Sequence, residues 1–459
     1  MKKILFLYLF FIFGGISSLT ARPVMLSRAD AQADLDSLYG FIREVHPDMF
    51  ATLPQEQFDA EFYGYRNNLP DSVPMGGFYA NATRLVSLLG DGHTRLGVCP
   101  LARMDTDPVI FPLNAKVHSR DTSLRVVGPW VLPSDTLQFL PGSRIERING
   151  MPAKELLTDM MRYVSGEQAF FRLAGLNGLF QQLMYALHRA DRYEIVCRDS
   201  TGTEHTIVLP GVLFSEVSAY QQAHPQRSAS QFGRRTDYTF EILPGEIGLL
   251  TYNTCRDRGK FTHFCDSVFR VVRERGIGDL IIDVRKNPGG DSGLNDTLFR
   301  YISPVSFRQF DHVISRISDP VRRVHGKNVS AENGIIRMEG DELILPREDS
   351  LRYRGRCYEL ISNSTFSSAA SFAWAFQYFG MGKAIGEESG GQVVCFGDII
   401  RYQLPHSQIP MSCSFCKVYQ HGGTDADRHG VIPDYEVPVE QALDYTLKLI
   451  REQRETSRK

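Results

Sequence analysis

The run DLIIDVRKNPGG, residues 279–290, limits the possible fold more than any other stretch. It reads as a buried strand that breaks into paired glycines, where the backbone reaches conformations closed to other residues. Its neighbours continue the pattern. EIGLLTYN is a strand, FTHFCDSVFRVVRERG a helix ended by Gly276, and DSGLNDTLFRYI a helix. CYELISNSTF is a strand, SSAASFAWAFQYFG a helix, and KAIGEESGG a strand and turn. Strands and helices alternating at this length predict an α/β domain around a mostly parallel sheet, from residue 238 to the end at 459.

At 459 residues and 42% hydrophobic composition, the chain is too long for one ordinary domain. Residues 22–105 read as a helical region. ADAQADLDSLYGFIREVH places Leu35, Leu38, Ile42 and Val45 at helical spacing before Pro47, and a second helix ends at Gly90, ahead of GDGHT. Residues 106–220 predict a small β-rich module. It has a tight turn at Asn149-Gly150, a helix from Ala153, a helical insertion over roughly 156–190, and a strand pair turning at Ser200 to Gly202. A polar stretch over 221–237 reads as a linker.

The opening MKKILFLYLFFIFGGISSLTARP has the form of a signal peptide covering 1–21. Lys2 and Lys3 precede an apolar run, Ile4 to Phe13, that is short for a membrane span, and small residues follow toward Ala21. Export to the periplasm or the extracellular space is therefore expected, with no cysteine in the segment to carry a lipid.

Lysine plus arginine number 51 and aspartate plus glutamate 53, a net charge of −2, so no strong field points to nucleic acid or an anionic membrane surface. The eight cysteines are spread thinly. Cys413 and Cys416 form a CxxC without a second ligand pair, which predicts buried thiols or a local disulfide rather than zinc. No metal or cofactor is expected.

Chemistry is suggested at three places. Exposed amides in a turn such as Asn287-Pro288-Gly289-Gly290 suit a developing oxyanion, while the spacings GxxxxGK[ST] and GxGxxG of nucleotide loops are absent. Ser364, Thr365, Ser367 and Ser368 stand at a strand-to-helix junction. There a serine is either an N-cap or a nucleophile at the positive end of a helix dipole. A nucleophilic hydroxyl needs a base, and His93, between Gly92 and Thr94, is the histidine whose loop suits one. Each feature alone also fits a plain turn, a cap or a structural histidine.

Taken in order, GDGHTRL, LPGSRIERINGMPAKELL, LIIDVRKNPGG, STFSSAASFAWAF with KAIGEESGG, and HGVIPDYEV resemble the tail-specific, or carboxyl-terminal-processing, serine proteases, whose relatives include tricorn protease and interphotoreceptor retinoid-binding protein. The resemblance implies a Clp-protease/crotonase-like α/β core, an N-terminal helical cap and a PDZ-like β-rich module. It implies Ser368 as nucleophile, with Ser367 its near competitor and Ser371 where the family has a glutamate. The oxyanion donors would be the N–H groups of Ala369 and of Gly290 or Gly289. The family's Ser–Lys branch would want a lysine near Gln392, whereas Lys383 lies upstream. His93 matches the base of the tricorn-like branch. Gly92 replaces the serine that precedes that base, and Asp427, near His429, is the candidate third member. The implied partners are protein or peptide substrates, without nucleic acid and without stable membrane insertion after signal cleavage. A binding protein for peptides or hydrophobic ligands on the same fold is the alternative.

Overall fold

The structure is a computed structural model that describes residues 22–131, 141–224, 236–326, 329–340 and 342–456. The expected signal peptide lies outside the described residues, as does most of the expected linker. The described residues divide into two compact units. The first takes those up to 224, with 320–326 and 399–414; the second takes those of 236–319, 329–398 and 415–456. Among the described residues no helix is long and apolar enough to cross a membrane.

The second unit is built on a six-stranded sheet. Its strand order is Tyr238–Leu243, Ile247–Tyr252, Asp279–Asp283, Arg356–Ile361, Lys383–Gly386, Tyr435–Glu436. The first pair is antiparallel and the others are parallel. Leu280, Ile281 and Ile282 are all fully buried, which an alternating strand with one wet face does not allow. Burying such a side chain is worth about 1.5–3 kcal/mol, so both faces must be covered. On one face Leu250, Tyr252 and Ile282 pack with Phe261, Phe299, Phe372 and Phe376 from the helices Arg258–Glu274, Gly293–Ile302 and Ser368–Tyr378. On the other, Leu249, Ile281 and Leu360 pack with Ala442 and Ile450 of Ala442–Thr456. Strand Phe310–Ile317 pairs antiparallel with Gly334–Glu339 and with residues 416–420.

Parallel neighbours end at the same edge, and this positions the site. Asp283 pairs with Leu360, so the loops leaving the two strands emerge side by side. They are then bonded together. The Ser362 hydroxyl donates to Arg285 O (2.6 Å), the Thr365 hydroxyl to Val284 O (3.0 Å), and Phe366 N–H to Asn287 O (3.0 Å).

In the first unit, helix Arg28–Val45 is capped by Ser27, which accepts from Asp30 N–H, and it buries Leu35, Leu38, Ile42 and Val45 as their spacing predicts. Helix Met75–Ser87 follows, then Gly90 at φ 64°. The β-rich part is an antiparallel sheet, ordered Glu204–Pro210, Arg192–Arg198, Arg144–Ile148, Ser123–Pro129, Leu113–His118. Asn149 and Gly150, at φ 49° and 80°, form the turn to Met151–Pro152, both positive as a tight two-residue hairpin requires. Helices Ala153–Met160, Ala169–Gly175 and Phe180–His188 close over this sheet's core, with Leu157, Leu173 and Leu183 buried among Leu113, Ile145 and Tyr193.

All eight cysteines are free, and all but Cys395 are buried. The local disulfide allowed by the CxxC spacing is not formed. Cys413 and Cys416 belong to the extended strand Pro410–Gln420. Residues three apart in a strand face opposite sides at about 10 Å, beyond disulfide reach.

Candidate active site

The nucleophile candidate stands where a strand turns sharply into a helix. Ser368 is the first residue of helix Ser368–Tyr378, and Ser367 before it is held at φ 55°, ψ −131°. Such a backbone costs a non-glycine residue on the order of 1–3 kcal/mol and persists only where the surroundings impose it. Two glycines supply those surroundings. A Cβ on Gly289 would lie 2.7 Å from Ser367 Cβ and 2.8 Å from Ser368 N, and one on Gly391 would lie 2.9 Å from Ser367 N. The NPGG turn and the Gly391 loop therefore clamp the junction at contact distance.

The cap reading of these serines is not realised. No side chain caps the helix, and the Ser368 hydroxyl instead donates to Gly290 O at 2.6 Å. The hydroxyl thus faces the glycine turn. Ser371, in the position the family gives to glutamate, is buried and accepts from Gln420 Nε2 at 2.7 Å.

The turn is fixed by neutral side chains. Asn287 is fully buried; it donates to Tyr252 O (3.0 Å) and accepts from Gly289 N–H (2.9 Å). Asn295, also fully buried, donates to Ser368 O (2.7 Å) and to Gln309 Oε1 (2.8 Å). Gly290, at φ 139°, admits no side chain, because a Cβ would meet Cys255 O at 2.2 Å. Of the three oxyanion-donor candidates, Gly289 spends its N–H on Asn287 and Ala369 donates to Phe366 O at 3.1 Å. Gly290 N–H meets no acceptor among the described residues.

His93 belongs to the first unit, in the loop that follows Gly90. Its backbone is held at both ends: N–H donates to Asp91 Oδ1 (2.8 Å), and its carbonyl accepts from the Ser412 hydroxyl (2.6 Å). Its ring Nδ1 lies 3.9 Å from Asp91 Oδ1, with the ring 13% exposed and the carboxylate fully buried. The other oxygen, Asp91 Oδ2, accepts from Thr94 N–H (3.1 Å), the Ser414 hydroxyl (2.7 Å) and His46 Nε2 (3.2 Å). His46 Nδ1 accepts from Asp48 N–H at 3.1 Å, which leaves the ring proton on Nε2, facing Asp91.

Burial opposes the charge on Asp91, but its bond to His46, attraction to the His46 and His93 rings when these are protonated, and its Thr94 bond outweigh that and hold it well below the usual carboxylate range. A second buried carboxyl behaves oppositely. Glu167 accepts from Gly92 N–H at 3.2 Å, and burial first, the Asp91 charge second, push it up to about 8. The two acids beside the histidine loop are thus driven in opposite directions, Asp91 toward its ionised form and Glu167 toward its neutral form.

The other sequence candidates have partners of their own. Asp427 accepts from Thr424 N–H and hydroxyl, both at 2.8 Å, and lies 3.6 Å from His429 Nε2. Lys383 begins its strand, away from the loop-bearing edge, and pairs with Asp434 at 2.7 Å. Gln392 donates to Arg428 O at 2.8 Å. Among the described residues, no group of His, Cys, Asp and Glu side chains forms a metal site. The sequence assigned no role to His46, Asp91 or Glu167. Asp91 was visible within GDGHT, but the other two reach it from 45 and 76 positions away.

Residues 246–437 match the family model described as Peptidase family S41. Among solved structures, the fold is similar to that of mature CPAF complexed with lactacystin, with a TM-score of 0.63 at 12% identity, covering 93% of this chain and 98% of that one. Mature CPAF alone gives 0.61 at 13% identity, covering 90% and 94%. At these identities the likeness is one of fold. Family match and site-bearing fold coincide on the same segment: residues 246–437 match Peptidase family S41, which supports reading the chain as a serine peptidase.

Proposed function

We propose that the chain is an exported peptidase that cleaves protein or peptide substrates through a Ser368–His93 acyl-enzyme mechanism. The observation that carries this reading is the Ser368 hydroxyl, held 2.6 Å from Gly290 O at the loop-bearing edge of the parallel sheet rather than used as a cap. His93 Nε2 takes the hydroxyl proton while Oγ bonds to the peptide carbonyl carbon. Gly290 N–H holds the oxyanion, and Ala369 N–H joins it once its bond to Phe366 O opens. The C–N bond then breaks, the amine leaves with the proton from the imidazolium, and water releases the acyl group by the same steps in reverse roles. The bond from Ser368 to Gly290 O must open first, since one hydroxyl proton serves one acceptor at a time.

Export rests on the basic and apolar form of residues 1–21. The β-rich module over 106–220 is proposed as PDZ-like, a surface for substrate tails.

Ser368→Ala tests the reading. Peptide hydrolysis is expected to fall on the order of a millionfold with the melting temperature unchanged, and a fluorophosphonate probe is expected to label the wild-type chain at Ser368 alone. Undiminished turnover in the variant overturns the assignment.

A further inference from the structure

We propose that Asp91 is the positioning residue of His93, taking the third place in the mechanism that Asp427 holds in the sequence pattern. The proposal rests on the Ser368–His93 reading and deepens it. Asp91 acts on His93 twice through one oxygen. Oδ1 anchors the backbone N–H of His93 at 2.8 Å and faces ring Nδ1 at 3.9 Å. The first contact fixes where the ring begins. The second sets an anion beside the ring nitrogen opposite the one that would receive a proton from serine.

The remaining oxygen keeps the carboxylate from turning away. Oδ2 holds three donors from three parts of the unit: Thr94 in the same loop, Ser414 on strand Pro410–Gln420, and His46 at the end of helix Arg28–Val45. A carboxylate with four donors and no exposure is rigid, and its charge is felt at short range with little screening. The titratable groups facing it are His46, His93, Arg95, Glu167 and Cys413. Burial pushes the Cys413 thiol up, so it stays neutral, and burial with the Asp91 charge pushes Glu167 toward its neutral form. Asp91 is therefore the anion that meets an imidazolium on His93. Asp427, by contrast, gives its carboxylate to Thr424 and His429.

The test compares Asp91→Asn with wild type in kcat, KM and pH profile, using the full chain and a fluorogenic peptide cleaved by the wild type. Asp91→Asn is expected to lower kcat by about a hundred- to ten-thousandfold with KM nearly unchanged. It is also expected to move the acid limb of kcat/KM to lower pH, because removing an anion disfavours imidazolium. A merely structural role leaves that limb in place. An unmoved limb, or a wild-type kcat in Asp91→Asn together with the loss appearing in Asp427→Asn, overturns the proposal. Should Asp91→Asn fail to fold, histidine NMR on Ser368→Ala, assigned with His93→Gln, reads the contact directly. A downfield His93 Nδ1 proton, as a hydrogen bond to a carboxylate gives, supports Asp91, and an Nδ1 proton without that shift in both the neutral and the charged ring overturns the proposal. His93→Ala separates this from the underlying reading: full activity there sinks the Ser–His mechanism itself, whereas loss there with an unmoved Asp91→Asn limb sinks only the role of Asp91.

Discussion

The loops around Ser368 and His93 are held by opposite means. Around Ser368 every fixing contact is neutral: buried Asn287 and Asn295, backbone carbonyls, and glycines packed so closely that no Cβ fits. Around His93 neutral contacts from Ser412, Thr94 and Ser414 are joined by charged or chargeable groups: buried Asp91 and His46, and Glu167. A nucleophile and oxyanion site needs shape, because its donors must point at an oxygen formed only during reaction. A base needs electrostatics, because its task is to change charge near neutral pH. Substitutions on the serine side should therefore change rate without pH dependence, and those on the histidine side should change the dependence itself.

Gly290→Ala is the strongest test of the first half. Its Cβ would land on Cys255 O, and φ 139° strains any side chain, so the donor N–H must move. A loss of about a hundred- to a thousandfold in kcat is expected, with the shape of the pH profile retained in steady-state kinetics. A shifted profile would break the contrast.

Glu167→Gln is the milder test of the second half. Folding raises this carboxyl from 4.5 to about 8. Below pH 4.5 both folded and unfolded chains keep the proton; between 4.5 and 8 only the unfolded chain releases it, so native stability falls as pH rises through that window. The variant is expected to match wild type near pH 4 and to melt about 2–4 °C higher at pH 8, the change that ~1 kcal/mol gives a domain of 150–250 residues. Scanning calorimetry at the two values checks it, and equal curves at pH 8 would remove Glu167 from the electrostatic set.

Lys383→Ala gives the smallest change. Its ion pair with Asp434 is half exposed and worth at most about 1 kcal/mol. Peptide hydrolysis is expected to stay within about twofold of wild type; a large loss would reopen a Ser–Lys mechanism.

The same contrast explains what could be read from the chain. The NPGG turn and the FSSAASF junction are local: apolar runs, paired glycines and a helix start lie within a dozen residues, so strand, turn and helix were legible. Whether a serine there caps or attacks was not, because the deciding contact, Ser368 to Gly290, spans 78 positions. On the histidine side GDGHT displayed both His93 and Asp91, but nothing local ranks Asp91 above Asp427. His46 and Glu167 enter only through tertiary packing, and a buried acid's charge state is set by neighbours that periodicity does not reveal.

The free thiols carry a consequence for how the chain matures. With no cross-link among eight cysteines, the native fold needs no oxidation step to complete it. Its thiols are instead shielded by the fold, seven of them buried, so an oxidant meets them chiefly while the chain is unfolded.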